Sequence, residues 1–400
     1  MTTAVNQRSI QDAIRPRQRR LHAPAVDGWI IAAALGLMTV SLMAISGATK
    51  NDITGTPDYY FARQAIYFGA GTLLAAFIAR FDYSRLLEAR RGVWGLLMAG
   101  NIVVLLIGGS TRGSSRWISL PFFQLQPSEL GKVLLVVSLS GFAVSWARDA
   151  GDPRTTIRLC GMALLPAAIV SLQPDLGTAL VYVAILGTVL VALGTPARHL
   201  AALATAAVVM SVLILSALPA VGVNALRPYQ VQRLTGFVNP SSDPSAATYQ
   251  VNQSLIAIGS GQRLGRGEAG ATQTGLDFLP EHHTDFIFAV IGERWGFTGS
   301  ALVIALYALL LWRALRLVLL SRDGFGSLLA AGITAILAFQ SFVNIGMTLG
   351  IMPITGVPLP LMSYGGSSVF VTLICLGLLQ SVHLRAANPA AAAVRARVRV

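Results

Sequence analysis

The sequence predicts an all-α, polytopic membrane protein with about ten transmembrane helices, both termini cytoplasmic and one large extracytoplasmic loop. Three observations carry this. Of the 400 residues 54% are hydrophobic and only 12% charged, about half the charged share of a soluble domain. The apolar residues fall into ten blocks, at about 29–48, 64–79, 92–109, 128–147, 159–172, 176–193, 199–222, 286–312, 327–351 and 364–383, as a chain that must satisfy its backbone inside a bilayer requires. Lysines and arginines divide unevenly between alternate connections, 20 against 8, which puts both ends on the richer, cytoplasmic side.

Taken in order, residues 1–28 form a basic arm whose Arg15, Arg17, Arg19 and Arg20 suit anionic headgroups. The first block is too long for a signal-peptide core and has no small-residue cleavage pattern, so no cleavable leader is expected. The fifth block is short and carries Pro166, which is tolerable only inside a bundle. Residues 29–385 then form one membrane domain, and the Ala/Arg-rich stretch 386–400 reads as a disordered cytoplasmic tail. The net charge of +13 reflects cytoplasmic loops and anionic lipid, and no nucleic-acid partner is expected. Cys160 and Cys375 lie in apolar blocks and read as small buried hydrophobes.

The outer connections are 110–127, a tight turn at Gln173-Pro174, the large loop 223–285 and 352–363. Within the large loop, Tyr249 to Ile258 reads as an amphipathic helix lying on the membrane surface. The glycines from Gly259 to Gly270 follow as a turn-rich stretch.

The polar residues concentrate on that outer side. Asp285 stands where the large loop enters the eighth block, and a carboxylate at that depth is a functional candidate by default. Thr284 can cap the helix alone, leaving Asp285 for other work. Glu281 and Asp277 precede it by four and eight residues; they are either solvated loop acids or partners that raise its pKa or share a divalent cation with it. His282 and His283 are adjacent, which is not a zinc-ligand spacing. Gln126-Pro127-Ser128-Glu129-Leu130-Gly131-Lys132 opens the fourth block with Pro127 in the first turn. Glu129 and Lys132 share a face. They either neutralise each other at the rim or present Lys132 to a phosphate in a cavity, and the depth of Lys132 favours the cavity. Asp175 reads as an N-terminal structural acid of the sixth block. Arg112, Arg116 and Trp117, with Arg227 and Arg233, are either interfacial anchors or grips for phosphate and sugar. Glu293 and Arg294 point about 100° apart on a helix, so each needs its own partner, expected on another helix. The segment from Pro353 through Pro358 and Pro360 to Ser363-Tyr364-Gly365-Gly366-Ser367 reads as irregular backbone forming a wall of the site.

Together these segments resemble the SEDS family, RodA and FtsW, over about residues 29–385. The resemblance rests on seven ordered motifs: Arg116-Trp117-Ile118, Gln126-Pro127-Ser128-Glu129, Gln173-Pro174-Asp175-Leu176-Gly177-Thr178, Ala257-Ile258-Gly259-Ser260-Gly261, Leu279-Pro280-Glu281, Thr284-Asp285-Phe286-Ile287-Phe288-Ala289, and Pro358-Leu359-Pro360 with Ser363-Tyr364-Gly365-Gly366-Ser367. Residues 344–366 and Thr272-Gln273 look closer to RodA. Glu293-Arg294-Trp295, Ala271 and Gly131 depart from the pattern.

The resemblance implies a plasma-membrane glycosyltransferase that polymerises lipid II on the extracytoplasmic side, releasing polyprenyl pyrophosphate. Its essential aspartate falls on Asp285, expected to act as general base. Lys132, Arg112, Arg116, Trp117, Glu129, Glu281, Asp277 and Ser363 are the expected substrate-binding residues. Mg2+ or Mn2+ held by Asp285 and Glu281 is the cofactor left open. A class B penicillin-binding protein and other elongation or division proteins are the implied partners. The rivals are a flippase for lipid II, a division enzyme of the same family, and a non-catalytic scaffold that tolerates loss of Asp285.

Overall fold

The computed structural model describes residues 26–50, 58–107, 109–111, 114–119, 124–217, 219, 230, 231, 233, 246–276 and 278–386. The basic arm up to residue 25, the tail from residue 387, Arg112, Arg227 and Asp277 lie outside them.

All ten expected blocks are helices. They are α1 (Gly28–Ala48), α2 (Tyr59–Arg80), α3 (Arg90–Ile107), α4 (Pro127–Ser145), α5 (Pro153–Leu172), α6 (Leu176–Leu193), α7 (Ala197–Val212), α9 (Ile287–Leu320), α10 (Gly324–Thr348) and α11 (Gly366–Ala386); α8 (Ala246–Ser260) is the amphipathic segment. Among the described residues nine helices are long and apolar enough to cross a membrane; α3 completes the set, with Arg90 and Arg91 in its first turn. The protein is a polytopic, all-α membrane protein. The short fifth block is a full 20-residue helix, because Asp152 caps it with an Arg154 amide bond and Pro153 starts it. Three short strands, β1 (Gly109–Thr111), β2 (Ser114–Ser119) and β3 (Gln124–Leu125), fold the connection before α4 into an antiparallel ribbon.

Helices α4, α10 and α11 form the centre and are buried along most of their length. Helix α11 packs on α2, α9 on α10 and α1, α3 on α4, and α6 between α5 and α10. Close approach is met by small residues: a side chain at Gly332 would meet Val136, and one at Gly377 would meet the backbone of Ala75. In contrast, α7 buries none of its residues. Helix α8 is not simply laid on a membrane surface. It packs on α9 and α10, and buried Ser254 donates to the Thr348 carbonyl at 2.8 Å.

The eighth expected span is corrected by a break. Helix α9 runs to Leu320, but Gly296 has φ 61° and ψ −151° and divides it. Residues 261–266 dock into that break. Gly265 donates to Gly261, Arg266 to the Glu293 carbonyl, Phe297 to Gln262 and Thr298 to Arg263. Backbone groups freed by the break are thereby hydrogen-bonded, as a low-dielectric interior demands. The approach is so close that Gly261 and Gly265 leave no room for a Cβ.

Candidate active site

The stub of α9 before the break, residues 287–294, is buried throughout. It begins after a turn, 280–286, that carries Asp285. The expected Thr284 cap is not formed. The helix starts two residues later, with Phe286 at the N-cap position and no side-chain cap, and the Thr284 hydroxyl donates instead to the Glu281 carbonyl at 3.2 Å and to Glu281 Oε2 at 3.0 Å. Glu281 takes a left-handed φ of 53°, and its carbonyl accepts from the amides of Thr284, Asp285 and Phe286. A positive φ in a residue with a Cβ is the kind of local strain that surrounding structure must hold in place.

That holding comes from the segment 352–366, as expected for a wall of the site. Buried Ser363 donates from Oγ to the Thr284 carbonyl at 2.6 Å and accepts from the Leu359 amide at 2.8 Å. The Tyr364 amide donates to the His283 carbonyl at 2.9 Å. Asn344 Nδ2 donates to the carbonyls of both Asp285 and Val357, at 2.9 and 2.8 Å. The segment is itself tied to α1, α2 and α9. Ser41 donates to the Met362 carbonyl, Gln64 to that of Ser363 and Tyr307 to that of Pro360.

The Asp285 carboxylate points at Gly356. A Cβ built there would lie 3.6 Å from Asp285 Oδ2 and 3.7 Å from Arg233 Nη1, so the acid and the arginine share that face. Gly356 has φ 70°, a conformation that glycine adopts without penalty.

The second cluster surrounds the start of α4. Glu129 and Lys132 are paired at 2.5 Å and both buried, Lys132 completely. The expectation that Lys132 faces an open cavity is therefore not met in this conformation, because Glu129 one turn away supplies the counter-charge. Asp175 caps α6 through the Thr178 amide, and also accepts from Gln126 Nε2 at 2.8 Å and Ser128 Oγ at 3.0 Å. Tyr182 donates to the Ser128 carbonyl. Beside this cluster a small groove of about 90 Å³ runs between α4 and α11, lined by Leu125, Leu130, Phe370 and Ile374 with Gln126 and Ser367 among its walls.

Of the remaining expected residues, Trp117 is half-buried in β2 opposite Gly109, and only the backbone of Arg116 is described. Glu293 and Arg294 do find separate partners, but not as charge pairs on another helix. Fully buried Glu293 accepts from the Gln273 and Thr274 amides at 2.8 and 3.0 Å, which ties the large loop to the Asp285 stub. The Arg294 guanidinium lies on Gly47 of α1, where a side chain would not fit. His282 Nδ1 lies 3.0 Å from the Leu279 carbonyl, and His283 packs between the rings of Tyr60 and Tyr364 at 4.7 and 5.8 Å. Among the described residues no three His, Cys, Asp or Glu side chains form a metal-holding group.

Helix α2 adds a face that the sequence expectations do not include. Its Tyr60, Arg63, Gln64 and Tyr67 lie at helical spacing on one face and meet the Asp285 turn and the 363–366 segment. That spacing, with three tyrosines and an arginine at the mouth of an apolar helix, was the available signal.

A buried polar centre at one end of a helical membrane bundle, built around a single carboxylate turn, defines the class. The chain belongs to the FtsW/RodA/SpoVE family of cell cycle proteins, whose model matches residues 27–388. It is 35% identical over 95% of both chains to a probable peptidoglycan glycosyltransferase FtsW from Thioalkalivibrio sulfidiphilus. It is 34% identical to the peptidoglycan glycosyltransferase MrdB of Escherichia coli, over 90% of this chain and 93% of that one. Among solved structures it is similar to the rod shape determining protein RodA of Thermus thermophilus, with 29% identity, a TM-score of 0.64 and coverage of 90% and 97%. A chain from a structure described as the coordination of polymerization and crosslinking by a peptidoglycan synthase complex aligns with a TM-score of 0.74 and 29% identity, over 90% of this chain and 98% of that one.

Proposed function

We propose that this chain is a peptidoglycan glycosyltransferase that polymerises lipid II at the extracytoplasmic face of the plasma membrane, with Asp285 as general base. The observation that carries the proposal is the Asp285 turn, pinned by Ser363, Tyr364 and Asn344, with its carboxylate and Arg233 on the same face of Gly356. In the reaction Asp285 takes the proton of the acceptor sugar hydroxyl, and the freed oxygen attacks the anomeric carbon of the donor. The bond from that carbon to the diphosphate oxygen breaks, and polyprenyl diphosphate leaves carrying the electron pair. One carboxylate acting on one face gives inversion. Diphosphate leaves without a protonating acid, unlike the alcohol leaving groups of glycosidases, so the second requirement is positive charge near the departing oxygens. Arg233 supports that role from its position beside Asp285. Arg112 and Arg116 are assigned to it from their sequence context, and Lys132 once it exchanges Glu129 for substrate. The apolar groove between α4 and α11 suits the hydrocarbon chain.

Mg2+ or Mn2+ fits the chemistry as an ion held by one carboxylate and the substrate's own phosphates, with Asp285 and Glu281 as the acids at hand. An elongation role of the RodA type is favoured by residues 344–366 and Thr272-Gln273; the division type is the alternative within the family. A class B penicillin-binding protein is the proposed partner, supported by the similar chain from a synthase complex.

The test is polymerisation of purified lipid II by the reconstituted protein, with and without the transpeptidase partner and with EDTA or added Mn2+. Glycan strands from the wild type and none from Asp285→Asn, at equal folding, support the reading. Leaflet transfer of lipid II without polymer would establish the flippase instead. Polymerisation by Asp285→Asn would remove the base.

A further inference from the structure

Arg63 stands at the first turns of α2, half-buried, and differs from two other enclosed cations of the bundle that sit against a carboxylate. Lys132 has Glu129 and Arg313 has Asp27. Among the described residues no carboxylate pairs with Arg63. Its surroundings are aromatic: the guanidinium lies 4.7 Å from the Tyr59 ring centroid, with the Tyr364 hydroxyl near it. Tyr364 in turn packs edge-on against Tyr60 at 4.9 Å and near Tyr67 at 6.3 Å. Burial, reinforced by Tyr67, pushes the Tyr364 phenol up to about 12, so it stays a neutral hydroxyl at physiological pH and does not cancel the arginine.

Two further contacts give this cation a direction. Toward the catalytic turn, Tyr60 stacks on His283, and Gln64 donates to the Ser363 carbonyl. Away from it, Tyr67 meets Phe370, 6.2 Å between centroids, and Phe370 lines the apolar groove. An un-neutralised arginine, planar and weakly hydrated, set between an acid-bearing turn and a hydrocarbon-lined groove, matches a ligand with an anion between a sugar and an apolar tail.

We propose that Arg63, framed by Tyr59 and Tyr364, binds the diphosphate of a lipid-linked sugar, with Tyr60 and Tyr67 as the aromatic wall that orders the groups on either side. This rests on the glycosyltransferase reading for its substrate and adds the residue that holds the anion. Arg63 touches the diphosphate and not the transferred proton, so its loss weakens binding more than turnover.

The experiment is equilibrium binding of polyprenyl diphosphate to the full-length protein in detergent, run beside polymerisation kinetics, for Arg63→Gln and Arg63→Lys. Inorganic pyrophosphate and the uncharged polyprenol serve as partial ligands. Arg63→Gln is expected to weaken polyprenyl diphosphate binding about tenfold or more, the scale of a lost charge-assisted hydrogen bond, and to raise KM with a smaller change in kcat. Arg63→Lys is expected to recover part of the affinity, and binding of polyprenol should not change. Unaltered diphosphate affinity and KM in Arg63→Gln would overturn the proposal. So would equal loss of polyprenol binding and thermal stability in both variants, which marks a packing residue. Because binding is read without turnover, the proposal is judged even if the wild type makes no polymer, a result that would instead count against the glycosyltransferase reading.

Discussion

The two ends of the bundle handle charge differently. At the end where α1 begins, acids and bases close on one another. Asp27, with a fully buried side chain, accepts from Arg313 Nε at 2.9 Å and Nη2 at 2.5 Å, and its backbone exchanges two hydrogen bonds with the Gln380 amide. Asp82 pairs with Arg385 at 3.2 Å. Tyr83 donates to Asp323 at 2.5 Å; burial, with Asp323 adding to it, holds that phenol far above the ordinary tyrosine range. At the Asp285 end one buried pair closes, Glu129 with Lys132, but Glu293 is spent on two backbone amides, Arg63 lies against the Tyr59 ring, and Asp285 and Arg233 share the face of Gly356. Closed pairs fix helices to each other. Charges held by backbone amides or aromatic rings are costly to keep in a membrane protein and are functional candidates.

The sharpest way to break this contrast is to neutralise one acid at each end. Asp285→Asn is expected to lower polymerisation by about 10²–10⁴-fold, the range of a positioned general base, with thermal stability in detergent unchanged. Asp27→Ala should do the reverse. It leaves Arg313 without its counter-charge and should cost about 3–5 kcal/mol of stability, read as a lowered melting temperature with normal specific activity in the folded fraction. Glu293→Gln sits between the two. One amide of the Thr272–Gly275 turn would face an NH2 group, a penalty of about 1–3 kcal/mol. Faster hydrogen exchange at residues 261–275, with reduced polymerisation, is the expected signature.

The smallest effect belongs to Lys50 and Glu268, an exposed pair at the Asp285 end. Hydrogen bonding and charge from Lys50 hold the Glu268 carboxyl below its usual range. A depressed carboxyl stabilises above its ordinary pKa, and that contribution fades as the pH falls through the folded value. Lys50→Gln should leave the melting temperature nearly unchanged at neutral pH and slightly flatten its fall on acidification. A large neutral-pH loss would show that this surface pair, too, is structural.

The bundle was legible because hydropathy reports a helix regardless of its neighbours. Each of the ten blocks holds a helix, and the short fifth block was underestimated because its first turns carry Pro153, Arg154, Thr155, Thr156 and Arg158. The break at Gly296 was not legible. Its cause is a loop thirty residues earlier that supplies the missing hydrogen bonds, and no local pattern reports a distant partner. The site divides in the same way. Asp285, Ser363, Glu129 and Asp175 stood out by residue type near a helix start; Ser363, Glu129 and Asp175 are buried and Asp285 lies on a partly buried turn. The counter-charge of Lys132 was visible as i, i+3 spacing, yet depth alone suggested a cavity. The α2 face was missed because Arg63 enters a charge count as one surface cation, and only the folded chain shows that Tyr364 and His283 stand beside it.

The interrupted helix has a mechanical meaning. Residues 287–295 are a rigid rod about 13 Å long, with the carboxylate turn at one tip and the strand of backbone around Gly265 spliced into the other. Whatever grips residues 261–266 from outside therefore holds a handle on the Asp285 turn.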